Sequence, residues 1–386
     1  MNEIVVLGAG YAGTMTAVSL AGRTRGRTDV HITLVNPSER FTERLRLHQV
    51  AAGEKLDDLR LPALLEGTGV DLVLGWVTGI DVNARTVRID DQRVLSFDTL
   101  VYALGGVAGT AAVPGADDHA YTLNSADDAK LLARRLAGMD DNRVVICGSG
   151  LTGVEAAAEI AEQHPDLRVT LLGRQEPGIE LGPKARAYLQ KSLGRLGVEW
   201  RSGADIIKIL PDGVELAGGE VVEAGAVLWC SGVRVSPLAS AAGLQTDDQG
   251  RIVTDDTLRS VSHPFVYAVG DAAAIKQAYG TMHGTCQSGM PTGVHAAKSI
   301  VRSLDGLPPQ PFRFGYLHVP VSLGRHDGVI QFTHPDHRPG GLYLTGRRAT
   351  WYKETVSSAP WPSFVRVGKT PALGEFAWRR GGRYTK

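Results

Sequence analysis

Two runs of glycines carry the chemistry that is legible first. Gly8, Gly10 and Gly13 stand at G-x-G-x-x-G spacing, and so do Gly148, Gly150 and Gly153. The spacing has a mechanical sense. The first glycine allows a tight turn, the second lets backbone approach a pyrophosphate, and the third lets a helix pack closely on a strand. Phosphates then meet unspent N–H groups at a helix N-terminus, here those of Tyr11 and Ala12 and of Leu151 and Thr152. One such run is a weak signal, so the flanking elements decide. Both runs follow an apolar strand ("IVVL", "VVIC") and open a helix of small residues. Both return to a second strand, "VHITLVN" (30–36) and "LRVTLLG" (167–173). This internal repeat predicts two βαβ units.

A dinucleotide site of this kind places an acid about 20 residues on, where it holds a ribose 2′-hydroxyl. Neither unit has one. The first ends its second strand on Asn36, which can both donate and accept. The second ends on Gly173-Arg174. An acid there would repel a 2′-phosphate, whereas a glycine leaves room and an arginine makes charge-assisted bonds to it.

The rest of the chain must position these loops. At 386 residues it is too long for one small core, and two or three domains are expected. The apolar fraction of 43% and charged fraction of 21% are those of a globular protein. A net charge of zero implies no pull toward nucleic acid. Cys147, Cys230 and Cys286 form no close pair, which argues against disulfides and zinc ribbons and for a reducing, cytoplasmic setting. The start runs straight into a strand with no basic region or cleavage site, and no apolar run reaches 18 residues. Membrane contact is therefore expected to be peripheral at most. "HPDH" (334–337) offers two histidines where a metal site uses three or four ligands, so no metal is expected.

Smaller signals follow. "SFDTLVYALGG" (96–106) is a buried strand ending in a turn with Ala103 and Gly105, and "GAVLWCSGV" (225–233) repeats the idea and brings Gly232. "HPFVYAVGDAAAI" (263–275) delivers Gly270 and Asp271 at a strand's C-terminal end, where ligands sit in parallel α/β sheets. Residues 284–304 read as a helix with Gln287 in its first turns. Beyond Leu307 a strand pair is expected around 323–332 and a short helix near 349–359. Residues 345–386 hold nine Lys/Arg, two Glu and Trp351, Trp361 and Trp378. They read as a docking or homodimer surface, or as a peripheral membrane contact, with Pro360, Pro362 and Gly368 breaking any long amphipathic helix.

In order and spacing, residues 3–304 resemble the two-dinucleotide-binding-domain flavoproteins (pyridine nucleotide-disulfide oxidoreductase-like). They look most like type II NADH dehydrogenase-like and apoptosis-inducing-factor-like FAD-dependent NAD(P)H oxidoreductases. The resemblance implies an α/β fold of two Rossmann-like domains, the second inserted in the first, with a small C-terminal α+β domain. FAD would occupy residues 1–110 and 232–305, NAD(P)H residues 111–231, and 306–386 would form the interface domain. Gly8, Gly10 and Gly13 would hold the FAD pyrophosphate, Asn36 the ribose and Asp271 the ribityl chain. Arg44 and His48, in "RLRLHQ", match the segment that passes near the flavin. Glu155 matches a position near the nicotinamide, with a solvated helix charge as the alternative. Gly173-Arg174 then favours NADPH over NADH.

The chain also departs from the family. It lacks the redox cysteine pair, which argues against dithiol chemistry. Quinone-reducing members place a glutamine pair beside the flavin in a helix-start motif; aligned to it, "TCQSGMPTG" keeps Gln287 and puts Pro291 and Thr292 where the pair belongs, which argues against quinone. The resemblance implies hydride transfer from NAD(P)H to FAD and then to a quinone or other small aromatic acceptor, with Gln287 shaping the acceptor pocket. The alternatives are reduction of a protein partner such as a ferredoxin, a biosynthetic flavoenzyme acting on a small molecule, and a non-enzymatic FAD/NAD(P)H sensor.

Overall fold

A computed structural model describes residues 1–375. The continuous apolar run at the start becomes the central strand Asn2–Leu7 of a five-stranded sheet. Its neighbours are Val30–Asn36 and then Val70–Leu74 on one side, and Thr99–Tyr102 and then Val266–Ala268 on the other, every pairing parallel. The inner stretches Ile4–Leu7, Leu100–Tyr102 and Val266–Ala268 are apolar because both faces are covered. The second sheet repeats the plan around Arg143–Cys147, in the order Glu199–Ser202, Arg168–Gly173, Arg143–Cys147, Ala226–Trp229, Tyr121–Thr122. The first sheet thus takes four strands from before residue 103 and one from after 265, and all strands of the second lie between. Two antiparallel segments, Gly106–Ala108 and Val233–Val235, carry the chain out and back.

Small residues let helices close on the first unit. Helix Tyr11–Arg23 is covered by the long helix Cys286–Leu304, where a side chain on Gly293 would stand 2.4 Å from the Ala12 carbonyl oxygen. The expected helix at 284–304 starts two residues later because Thr285 caps it, its hydroxyl accepting from the Ser288 N–H.

The C-terminal region is richer than expected. The strand pair is a three-stranded antiparallel sheet, His318–Ser322, Gly328–Thr333 and Pro339–Thr345. Residues 323–327 form the turn. Helix Gly346–Ser358 follows, and Pro360 begins a further helix, Pro360–Lys369, instead of only ending one. Proline suits that first position because the N–H it lacks has no helical partner there. Phe364 of this helix is fully buried, 5.3 Å from the Phe41 ring, which stands 5.1 Å from Tyr11. Helix 360–369 therefore docks on the first unit. Trp378 and the last four basic residues lie outside the described residues. Among the described residues no helix is long and apolar enough to cross a membrane, and no group of three or more His, Cys, Asp or Glu could hold a metal.

Candidate dinucleotide sites and the seam between them

The two glycine loops obey the same steric rule. Gly8 and Gly148 have φ of 93° and 121°, a region that only glycine enters readily. A Cβ on Gly13 would lie 1.8 Å from the Gly8 carbonyl oxygen, and one on Gly153 would lie 1.9 Å from that of Gly148. A Cβ on Gly10 or Gly150 would meet nothing within 4 Å. The middle glycine of each loop thus faces open space. Helices 11–23 and 151–163 begin there with no side-chain cap, so their first N–H groups stay unspent. Glycine walls and free donors at a helix start fit a pyrophosphate in both units.

The ends of the second strands are built differently. Asn36 Oδ1 accepts from the Ala9 N–H at 2.9 Å, and its Nδ2 donates to the Ser38 carbonyl at 2.7 Å. In the second unit the tie comes from the glycine loop. Ser149 Oγ donates to the Gln175 carbonyl at 2.7 Å and lies 2.2 Å from where a Gly173 Cβ would stand. The room that glycine was expected to leave is therefore filled by Ser149. Glycine is required at 173 because the loop's serine is packed against it. Arg174 is 80% exposed at its side chain, and its Nε and Nη2 both bond Asp205 Oδ1, at 2.9 and 2.7 Å.

Around the first loop, Asp271 sits in a single turn, Gly270–Ala272, after strand 266–268. Gly270 has φ of 66°, and its N–H donates to Thr292 Oγ1 at 3.0 Å. Asp271 lines a small cavity with Gly270, His283, Gly284, Ser288 and Thr292. Burial raises its carboxyl above the usual range, with Arg44 pulling the other way. Burial, reinforced by the neighbouring Cys286, raises the Tyr11 phenol, whose oxygen accepts from the Leu45 N–H. The Cys286 thiol is itself pushed up to about 11 by burial, so it is no activated nucleophile. Ala103 packs on the glycine loop, its carbonyl oxygen 2.7 Å from a Cβ built on Gly8. Gly105 and Gly232 flank the two crossing segments, with φ of 65° and 69°.

Other expected residues converge elsewhere. Glu155 is 8% exposed, which overturns the solvated-charge alternative. Its Oε1 pairs with Lys353 Nζ at 2.7 Å and accepts from the Ser322 N–H at 2.9 Å. Burial pushes its carboxyl up, but Lys353 and His48 outweigh that and hold it below the usual range. His48 is buried and driven down to about 4 by burial, against the pull of Glu155, and its Nε2 finds no partner among the described residues. Lys353 gave no sequence signal, since it lies in a helix whose surroundings are set by distant strands. One turn on from Glu155, Glu159 is fully buried, both its oxygens lack a partner among the described residues, and burial pushes it up to about 8. Gln287 is spent on docking the C-terminal sheet. Its Nε2 donates to the His318 carbonyl at 3.0 Å, and its Oε1 accepts from the Leu317 N–H at 2.7 Å.

This architecture is a doubly wound pair of dinucleotide-binding units joined by a charged seam. The pyridine nucleotide-disulphide oxidoreductase model matches residues 2–298, and the chain belongs to that family. An NADH dehydrogenase-like protein of Mycobacterium tuberculosis is 30% identical, covering 85% of this chain and 87% of its own length. A type II NADH:quinone oxidoreductase of Staphylococcus aureus is 30% identical, covering 97% and 99%. Among solved structures, the sulfide:quinone oxidoreductase of Aquifex aeolicus aligns at a TM-score of 0.81 with 18% identity, over 98% of this chain and 94% of its own. The NDH2 of Plasmodium falciparum, solved with NADH, aligns at 0.79 with 14% identity over all of both chains. These last two likenesses concern the fold.

Proposed function

We propose that the chain is an FAD-dependent NAD(P)H oxidoreductase that passes electrons to a quinone or similar small aromatic acceptor. FAD belongs in the first unit, held by the Gly8–Gly13 loop, Asn36, Arg44 and Asp271. NAD(P)H belongs in the second, held by the Gly148–Gly153 loop and Arg174. The observation that carries this reading is the shared steric layout of the two glycine loops in a member of this family. We divide the chain into 1–110 with 232–305, 111–231 and 306–386, the first two supported by the strand order of the two sheets. The flavin supplies the redox chemistry, and the protein supplies placement and electrostatics. We take NADPH as the preferred nucleotide and NADH as the alternative, because the exposed Arg174 guanidinium, now held by Asp205, can make charge-assisted bonds to a 2′-phosphate.

The seam holds ionisable groups away from bulk water. We assign the buried Glu155–Lys353 ion pair to fixing the C-terminal sheet and helix 346–358 against the second unit. The tail is the surface we assign to peripheral membrane or homodimer contact, because Trp351 stands 71% exposed near Arg347 and Arg348. Anaerobic stopped-flow reduction of the yellow protein tests the main reading. Rapid bleaching by NADPH and slower bleaching by NADH is the expected result. The reverse order removes the role given to Arg174. No bleaching by either, with FAD bound, removes the oxidoreductase reading.

A further inference from the structure

We propose that Asp205 sets the nucleotide preference of the second unit. It competes with a 2′-phosphate for Arg174, and it supplies from the third strand's end the ribose-binding carboxylate that the second strand lacks. The inference rests on the reading of that unit as the NAD(P)H site.

Three observations carry it. Position 173 cannot take an acid, because Ser149 Oγ, Cβ and N lie 2.2, 2.6 and 2.9 Å from a Cβ placed there. The loop that follows strand 199–202 is tied to this place by its backbone, Gly203 N–H to the Arg174 carbonyl at 3.2 Å and Ala204 N–H to the Gly173 carbonyl at 3.1 Å. That tie delivers Asp205 beside Arg174, where both guanidinium contacts fall on Oδ1. Among the described residues nothing bonds Oδ2, which leaves it for a sugar hydroxyl.

The charges then work in opposition. With NADH, Asp205 accepts from the ribose hydroxyls while Arg174 neutralises it. With NADPH, the phosphate must draw Arg174 away from Asp205 and sit near a carboxylate. Arg174 favours the phosphate through charge-assisted bonds, and Asp205 tempers that preference. The pair is half-exposed or more, so its opposition amounts to only about a fivefold factor.

The test uses the full flavoprotein as wild type, Asp205→Asn, Arg174→Gln and the double variant. Calorimetric Kd values for NADP+ and NAD+ are read alongside kcat/KM for NADPH and NADH. Asp205→Asn should raise the NADP(H) to NAD(H) preference by about fivefold, partly by weakening NAD(H). Arg174→Gln should lower it. In the Arg174→Gln background, removing Asp205 should change NADP+ binding through loss of repulsion alone and leave no competition to relieve. Asp205→Glu, which keeps the charge, should stay near wild type. An unchanged or lowered preference in Asp205→Asn overturns the proposal while leaving the nucleotide site intact. Failure of the wild type to bind either nucleotide overturns the site reading and this inference with it. Flavin content and far-UV circular dichroism establish that each variant is folded.

Discussion

The two glycine loops are alike in steric plan and unlike in electrical surroundings. Helix 11–23 is buried on side chains without charge, from Ala12 to Ala21, and its Thr14 and Thr16 hydroxyls bond back to the Ala9 and Ala12 carbonyls. Helix 151–163 buries Glu155 and Glu159 on its inner face and meets His48, Lys353 and Arg325. The difference teaches that the loop answers to contacts within a few residues, whereas the charge a unit can tolerate is set by what packs on its helix. In the second helix, Glu155 has a cation to face in Lys353.

The strongest break of the likeness comes from the third glycines. Gly13→Ala and Gly153→Ala each force a methyl into a carbonyl oxygen, so each should collapse its own loop. Gly13→Ala is expected to purify colourless. Gly153→Ala should keep its flavin, read as the 450 nm absorbance per chain (visible flavin absorption), and lose NADP+ binding. Colour lost in the second and kept in the first reverses the assignment of the two units.

Next in size is the seam. Lys353→Met leaves Glu155 buried without its cation, at a cost of about 3–5 kcal/mol in denaturant unfolding. The double variant Glu155→Gln/Lys353→Met should recover most of it. A single variant as stable as wild type would mean that the pair is open to water.

Smaller again is a pH effect. Glu159 in the folded chain binds its proton up to about pH 8, well above the 4.5 of a free glutamate side chain. Its contribution is therefore complete below pH 4.5 and is lost as pH rises through about 8. His48 acts oppositely. Lowered from 6.5 to about 4, it contributes fully above pH 6.5, and that contribution is lost as pH falls toward 4. Between pH 6.5 and 8 the fall in Tm should be shallower in Glu159→Gln than in wild type. Parallel slopes would remove Glu159 from the account.

The smallest test concerns the ties at the strand ends. Asn36→Ala removes two hydrogen bonds and Ser149→Ala one, each worth about 1 kcal/mol. A loss in stability about twice as large for Asn36→Ala would support the view that each side chain only ties its loop. A still larger loss for Asn36→Ala would show that it does more.

Much of this could be read before any fold was known. The βαβ units, Asp271 after its strand and the helix holding Gln287 all came from local patterns of apolar runs and glycine spacing. The same patterns misjudged three details. Glu155 stood as a surface alternative because periodicity places a residue on a face without saying what covers it. Gly173 was read as vacant because a missing side chain says nothing of the neighbour that moves in. Pro360 was read only as a break, although proline also starts helices.

What the sequence by itself determined is therefore the short-range part: where each loop turns, which glycines cannot bear a Cβ, and which strands are buried on both faces. These follow from sterics and hydrophobicity within one βαβ unit. The tertiary structure alone decided the pairings: Lys353 with Glu155, Asp205 with Arg174, Ser149 against Gly173, and Gln287 with the backbone at 317–318. Each joins segments separated in the chain. Ion pairs and hydrogen bonds act over a few ångströms, so their partners are known only once the path of the backbone is.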